Sequence, residues 1–227
     1  MWDTLNSILP YTIGFIISPL PVIALILLLV GKNGFKRATI FEISWLIVSF
    51  TSIILLMMLI GATSEPPQNG ETPAWQSAVI LLFGIILLLV ALITRTRIFR
   101  KKRAKKVRTP GWLRAIDRMS GWEITLIAIA LVVFNPTNLS MVFAAAVNLA
   151  NLSIPASQAV VPVIIFVLVG SLSVLIPYLL VAFFGKRIHA QLHMLRHWLA
   201  SYGDRLSFWA AFGFAVVFLY KGLTGLF

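Results

Sequence analysis

Six runs of mostly apolar residues, 11–30, 39–60, 77–93, 124–147, 159–184 and 208–223, divide the chain. A helix crossing a hydrocarbon core about 30 Å thick needs roughly 20 such residues, at about 1.5 Å each. The fifth run is long enough to carry a tilt or a kink, and the third and sixth lie near the short limit. The runs are too long and too little alternating for barrel strands. Composition agrees: 59% of the 227 residues are hydrophobic and 11% are charged, whereas about a quarter of a soluble domain is charged. A water-soluble enzyme or binding module is excluded on these grounds. Cysteine is absent, so disulfides, thiolate metal sites and cysteine nucleophiles are absent too. The expected fold is an all-α polytopic membrane protein with six transmembrane helices. The first run follows MWDTLNS, which carries Asp3 and no base. No small-residue cleavage site follows the run, so a retained helix is predicted rather than a removed signal.

The placement of charge orients these helices. Lys32, Lys36 and Arg37 lie between runs one and two, and eleven bases fall between Arg95 and Arg118. Lys186, Arg187, Arg196 and Arg205 lie between runs five and six. Eighteen of the nineteen bases therefore sit on one side of a six-helix arrangement, Lys221 being the other. The positive-inside rule makes that side cytoplasmic and both termini periplasmic or extracellular. The chain then divides into a first three-helix half (1–94), a basic cytoplasmic connector (95–120) and a second half (121–227). The second half includes an amphipathic cytoplasmic segment, 186–205. Three helices are an odd number, so the second half must be inverted relative to the first.

The repeat singles out two elements. Ser18-Pro19-Leu20-Pro21 in helix one aligns with Asn135-Pro136-Thr137-Asn138 in helix four. Proline lacks an N–H and clashes with the carbonyl four residues earlier, which is Phe15 for Pro19, Ile17 for Pro21 and Val132 for Pro136. Paired interruptions near the membrane midplane mark substrate sites in transporters, because a broken helix frees backbone polar groups for a ligand. Ser18, Asn135 and Asn138 are the candidate substrate-binding residues, with Pro19, Pro21 and Pro136 as the helix-breaking ones. The competing reading is a kinked packing helix whose Ser and Asn side chains bond to neighbouring helices.

Two charges near the apolar runs are candidates for coupling or charge recognition. Glu42 lies about one turn into helix two; it serves a proton-coupled carrier, or it is an interfacial carboxylate paired with Arg37 or Lys36. Lys221, near the outer end of helix six, binds an anionic group or snorkels to the headgroups. Trp45 and Trp75 are expected to anchor span ends. His189, His193 and His197 form one stripe at four-residue spacing, but Leu192, Leu195 and Leu199 lie roughly opposite. An amphipathic helix on the cytoplasmic leaflet accounts for both faces, and no metal site is expected. The connector is expected to attract anionic lipid of the inner leaflet rather than nucleic acid. There is no phosphate-binding loop and no persuasive catalytic constellation, so neither a cofactor nor enzymatic activity is expected.

These residues together resemble a known family. The first-helix SPLP, the GWLRAIDRMSGWEI that ends the connector, NPTNLSMVFAAAV and the closing FAVVFLYKGL are similar to the GAP family. These proteins resemble mycobacterial glycopeptidolipid- and sulfolipid-addressing proteins, within the lysine exporter (LysE) superfamily. Thr137 stands where that family commonly has Lys, which removes a positive charge. The resemblance implies a multi-pass protein of the bacterial cytoplasmic (inner) membrane concerned with export of small molecules or envelope lipids. The expected function is a secondary transporter or exporter working through broken helices one and four. The alternative is a non-transporting accessory protein docking an envelope-lipid synthase or a larger exporter. A homo-oligomer or association with envelope-lipid machinery accompanies these readings.

Overall fold

The computed structural model describes residues 2–31, 33–63, 73–103, 119–152 and 156–226. Among them the secondary structure is helical throughout: α1 (Trp2–Ile16), α2 (Pro19–Val30), α3 (Gly34–Thr63), α4 (Ala74–Arg103), α5 (Gly121–Val133), α6 (Pro136–Asn151), α7 (Ala156–Gly170), α8 (Leu172–Phe184) and α9 (His189–Thr224). A short 3-10 turn, Gly185–Ile188, joins the last two. Three helices (α3, α4 and α9) contain stretches long and apolar enough to cross a membrane alone. The others form three bent pairs: α1 with α2 (51°), α5 with α6 (64°) and α7 with α8 (67°). Counting each pair as one span gives six.

Contacts sort the helix ends into two sets. At one end Arg37 Nη2 donates to the Met119 carbonyl at 2.7 Å, and Thr39 Oγ1 lies 3.1 Å from Tyr178 Oη. The starts of α3 and α5 and the later part of α8 therefore lie together, with the basic connections. At the other end Lys221 Nζ and Asn148 Nδ2 both reach Tyr11 Oη, and Asn151 Nδ2 donates to Gln76 Oε1 at 2.8 Å. The first half starts at this second end and the second half at the basic one, so the two halves are inverted. The start of α5 is fixed by a capping box: Ser120 Oγ accepts from Glu123 N while Glu123 Oε2 accepts from Ser120 N at 2.6 Å.

One pair of helices shows the inversion in its packing. A Cβ on Gly84 of α4 would lie 2.8 Å from Leu219 N, and one on Gly222 of α9 would lie 2.7 Å from Leu81 Cα. The sequence Leu-x-x-Gly occurs in both helices, at Leu81–Gly84 and at Leu219–Gly222. Each leucine covers the other helix's glycine, so α4 and α9 run antiparallel with their backbones close. Small residues serve this purpose where no water drives helices together.

One expectation is revised here. Segment 186–205 is not a separate surface helix, because α9 continues unbroken from His189 to Thr224. At about 1.5 Å per residue its 36 residues extend roughly 54 Å, so the helix crosses the core and projects beyond it. His193 and His197 are exposed on that projecting part, while Leu192 and Leu199 on its other side are buried. Positions 104–118 of the connector lie outside the described residues. Elsewhere the outward surface is apolar, with Ile47, Leu55 and Phe183 all more than half exposed, as a surface solvated by acyl chains requires.

The glycine contacts generate a stability prediction. Gly84→Leu and Gly222→Leu should each cost about 1–3 kcal/mol from overpacking, read as lowered thermal unfolding temperature in neutral detergent. Gly213→Ala, where nothing lies within 4 Å of the added carbon, should be neutral or slightly stabilising.

Candidate functional site

The two aligned elements meet in space. Ser18 is the N-cap of α2 (φ −64°, ψ 113°) and Asn135 the N-cap of α6 (φ −80°, ψ 114°), each followed by proline at the first helical position. Proline suits that position, since its missing N–H would have had no partner there and its φ is already helical. The same backbone geometry therefore interrupts both spans, and Asn135 Nδ2 reaches Ser18 Oγ at 3.5 Å.

Side chains satisfy much of what the interruptions free. Asn135 Oδ1 accepts from Thr137 N at 3.2 Å. Asn138 Nδ2 donates back across the break to the Leu131 carbonyl at 2.7 Å. Ser140 Oγ donates to the carbonyl of Pro136. Asn138 is fully buried and its Oδ1 has no hydrogen-bond partner among the described residues. Ser18 and Asn135 thus touch, whereas the Asn138 amide is committed to its own break. Pro19 and Pro21 are buried at the start of α2.

A third interruption adjoins these two. The fifth span breaks at Ser171, between Gly170 and Leu172, with no proline at the break. Pro162 and Pro177 stay inside α7 and α8. Gly170 admits Phe15, since a Cβ there would lie 2.9 Å from Phe15 Cδ1. Ser171 Oγ accepts from Trp45 Nε1 at 3.0 Å. Trp45 also lies against Phe15, with ring centroids 5.2 Å apart, and it is only 1% exposed. It is a central strut linking breaks one and three, which corrects its expected role as a span-end anchor. Trp75, at the start of α4, is 39% exposed and suits that role. A glycine–serine pair is a recognised cause of sharp kinks, and that signal was present in the fifth run.

Beside the first and third breaks lies a cavity of about 300 Å³. Its walls come from the first break (Ile16 through Pro19, with Val22), from α8 around Ile176, and from Trp198 and Leu199 of α9. Ser18 and Ser173 are its polar residues. Because α8 runs from the third break toward the basic connection at Gly185–Ile188, and the α9 wall belongs to the part of α9 nearer that connection, the cavity lies on the basic side of the breaks.

Glu42 is 2% exposed on α3, and neither carboxylate oxygen has a hydrogen-bond partner among the described residues. The expected pairing with Arg37 or Lys36 is not formed by hydrogen bonding. Ser49, two turns further along α3, is also fully buried with an unpartnered hydroxyl oxygen. Lys221, exposed at the opposite end of the bundle, donates from Nζ to Tyr11 Oη at 2.8 Å. No group of three or more His, Cys, Asp or Glu side chains suited to a metal occurs among the described residues.

These features, a bundle of inverted halves with matched breaks, extend over nearly the whole chain, as does its match to a family. The family described as Sap, sulfolipid-1-addressing protein, matches residues 8–224. The chain belongs to the sulfolipid-1-addressing protein family. No curated protein and no solved structure matches it. Within this family member the match takes in all three breaks, the cavity, Glu42 and Lys221, so the site lies wholly in the family's shared region. The chain is a multi-pass helical membrane protein whose broken helices form a transporter-like arrangement.

The cross-break bond gives a direct prediction. Asn138→Leu should destabilise by about 1–3 kcal/mol, because it leaves the Leu131 carbonyl unsatisfied in the interior. Thermal unfolding in detergent measures the loss, and an unchanged midpoint would remove Asn138 from its bridging role.

Proposed function

We propose that this protein is a secondary exporter in the bacterial cytoplasmic membrane that moves an envelope-lipid component or a similar acyl-bearing molecule. The observation that carries the proposal is the meeting of Ser18 and Asn135, where two matched interruptions from inverted halves converge. Inverted repeats that meet at broken helices give alternating access a place to pivot. The mostly apolar cavity beside Ser18 supports an acyl-bearing cargo over a small polar solute. The family's name, which refers to the addressing of a sulfolipid, supports the same class of cargo. Under the positive-inside rule the basic end faces the cytoplasm, so the cavity receives cargo from that side. The proposal assigns no catalytic step to the chain.

Glu42 supplies the coupling group in this mechanism. An ionised carboxylate inside a membrane protein is costly unless it gains a partner. A proton carried by Glu42 therefore links rearrangement of α3 to the gradient, and α3 packs directly against α5 and α6. The basic end supports the accessory alternative: Arg95, Arg97, Arg187 and Arg205 are exposed there, as a docking surface for an acidic partner requires. If that reading holds, replacing these bases abolishes function while Asn135→Ala leaves it intact.

Proteoliposomes containing the folded protein and a fluorescent short-chain lipid test transport. The expected result is transbilayer movement at least several-fold above protein-free vesicles, accelerated by a proton gradient. Glu42→Gln should fold normally and lose the acceleration. Movement equal to that of empty vesicles, for every lipid class tried and with the fold verified, would overturn the proposal.

A further inference from the structure

At the end of the bundle away from the basic connections, two polar side chains converge on the phenol oxygen of a third. Tyr11 of α1 is 2% exposed. Its Oη accepts from Lys221 Nζ of α9 at 2.8 Å and from Asn148 Nδ2 of α6 at 3.2 Å. A phenol oxygen has two lone pairs and one proton to give, so both lone pairs are occupied and the O–H remains. Among the described residues that O–H meets no acceptor. The Lys221 ammonium has three N–H groups, of which the Tyr11 oxygen takes one. The ammonium also lies 5.2 Å from the centroid of the Tyr11 ring, a contact that steadies a cation without neutralising it. Asn148 is fully used as a donor, its second bond going to the Ala144 carbonyl at 2.8 Å.

The cluster is therefore rich in donors and carries a positive charge. It has a free phenol O–H, two free ammonium N–H groups and, among the described residues, no carboxylate against the lysine. Lys221 is itself exposed, so a ligand reaches it from outside the bundle. It is the only base outside the three basic connections, so it is the one side-chain cation this end offers to an anion. An arrangement of this kind recognises an oxyanion, by charge from lysine and by a directed hydrogen bond from tyrosine.

We propose that Lys221 and Tyr11 form a binding site for an oxyanion, a phosphate, sulfate or carboxylate group, at the end of the bundle opposite the basic connections. Asn148 holds the phenol in place from α6. Tyr11 and Asn148 belong to the half-helices α1 and α6 that lie on this side of the two matched breaks, so an anion bound here draws both halves toward α9. The site stands apart from the apolar cavity, and its occupancy is read without any transport measurement.

Amine-reactive labelling of the full-length protein in neutral detergent, resolved by peptide mass spectrometry, tests the site. Dihexanoyl phosphatidate should slow modification of Lys221 at least fivefold relative to dihexanoyl phosphatidylcholine. Equal protection by inorganic phosphate at the same concentration assigns the site to a free oxyanion, and protection by phosphatidate alone assigns it to a lipid headgroup. Tyr11→Phe keeps the lysine but removes the O–H donor, and it should reduce the protection at least threefold with the unfolding temperature checked in parallel. Failure of both anions to protect Lys221 would overturn the proposal, as would undiminished protection in a folded Tyr11→Phe protein.

Discussion

Inside a hydrocarbon core every backbone N–H and C=O must find a partner within the protein, because no water is at hand to supply one. An interrupted helix violates this rule unless its ends are buried among other helices. The constraint explains why α2 and α6, the half-helices that begin at the matched breaks, are so deeply buried. It also explains the chemistry at each break: proline where an N–H would have been orphaned, and Asn138 turned back to the Leu131 carbonyl. Ser171 is held by the Trp45 indole rather than by a second asparagine. Once the three interruptions are enclosed, the straight helices have little freedom left. The close pair α4 and α9 is locked by reciprocal leucine–glycine contacts.

Span number, charge sorting and the two proline-marked breaks were legible in the sequence because each follows from a strong local rule. Length sets the spans, loop charge sorts them, and proline interrupts the hydrogen-bond ladder whatever surrounds it. The break at Ser171 was not equally legible, since the same run contains Pro162 and Pro177, which remain inside helices. Gly170 leaves room there for Phe15, a contact between residues far apart in sequence. Trp45 was misplaced for the same reason: its distance from the run's start suggested an interface, whereas partners from α1 and α7–α8 bury it. The helical spacing of 186–205 was visible, but its continuity with the final span was not, because Gly203, Asp204 and Ser207 at the junction read as a helix end, whereas α9 runs straight through them.

The two ends of the bundle differ in chemistry. One carries the basic connections and, on its side of the breaks, an apolar cavity. The other is nearly free of bases, and its few polar groups tie α1, α6 and α9 together through Tyr11. With the cavity on one side of the breaks and this polar closure on the other, the proposed exporter would take its cargo from the basic end. Glu42 and Asn138 retain buried oxygens without hydrogen-bond partners among the described residues. Such groups cost stability in a static scaffold, so their presence fits a protein that spends part of its cycle in another arrangement.

The proposed export requires the two matched breaks, about which the halves pivot, to move relative to one another. The chain has no cysteine, so Ser18→Cys with Asn135→Cys places the only two thiols at the contact. A short bifunctional thiol reagent that bridges them should stop lipid movement in proteoliposomes, and a cleavable version of the reagent should allow recovery on reduction. Unchanged movement with the bridge fully formed would contradict the account.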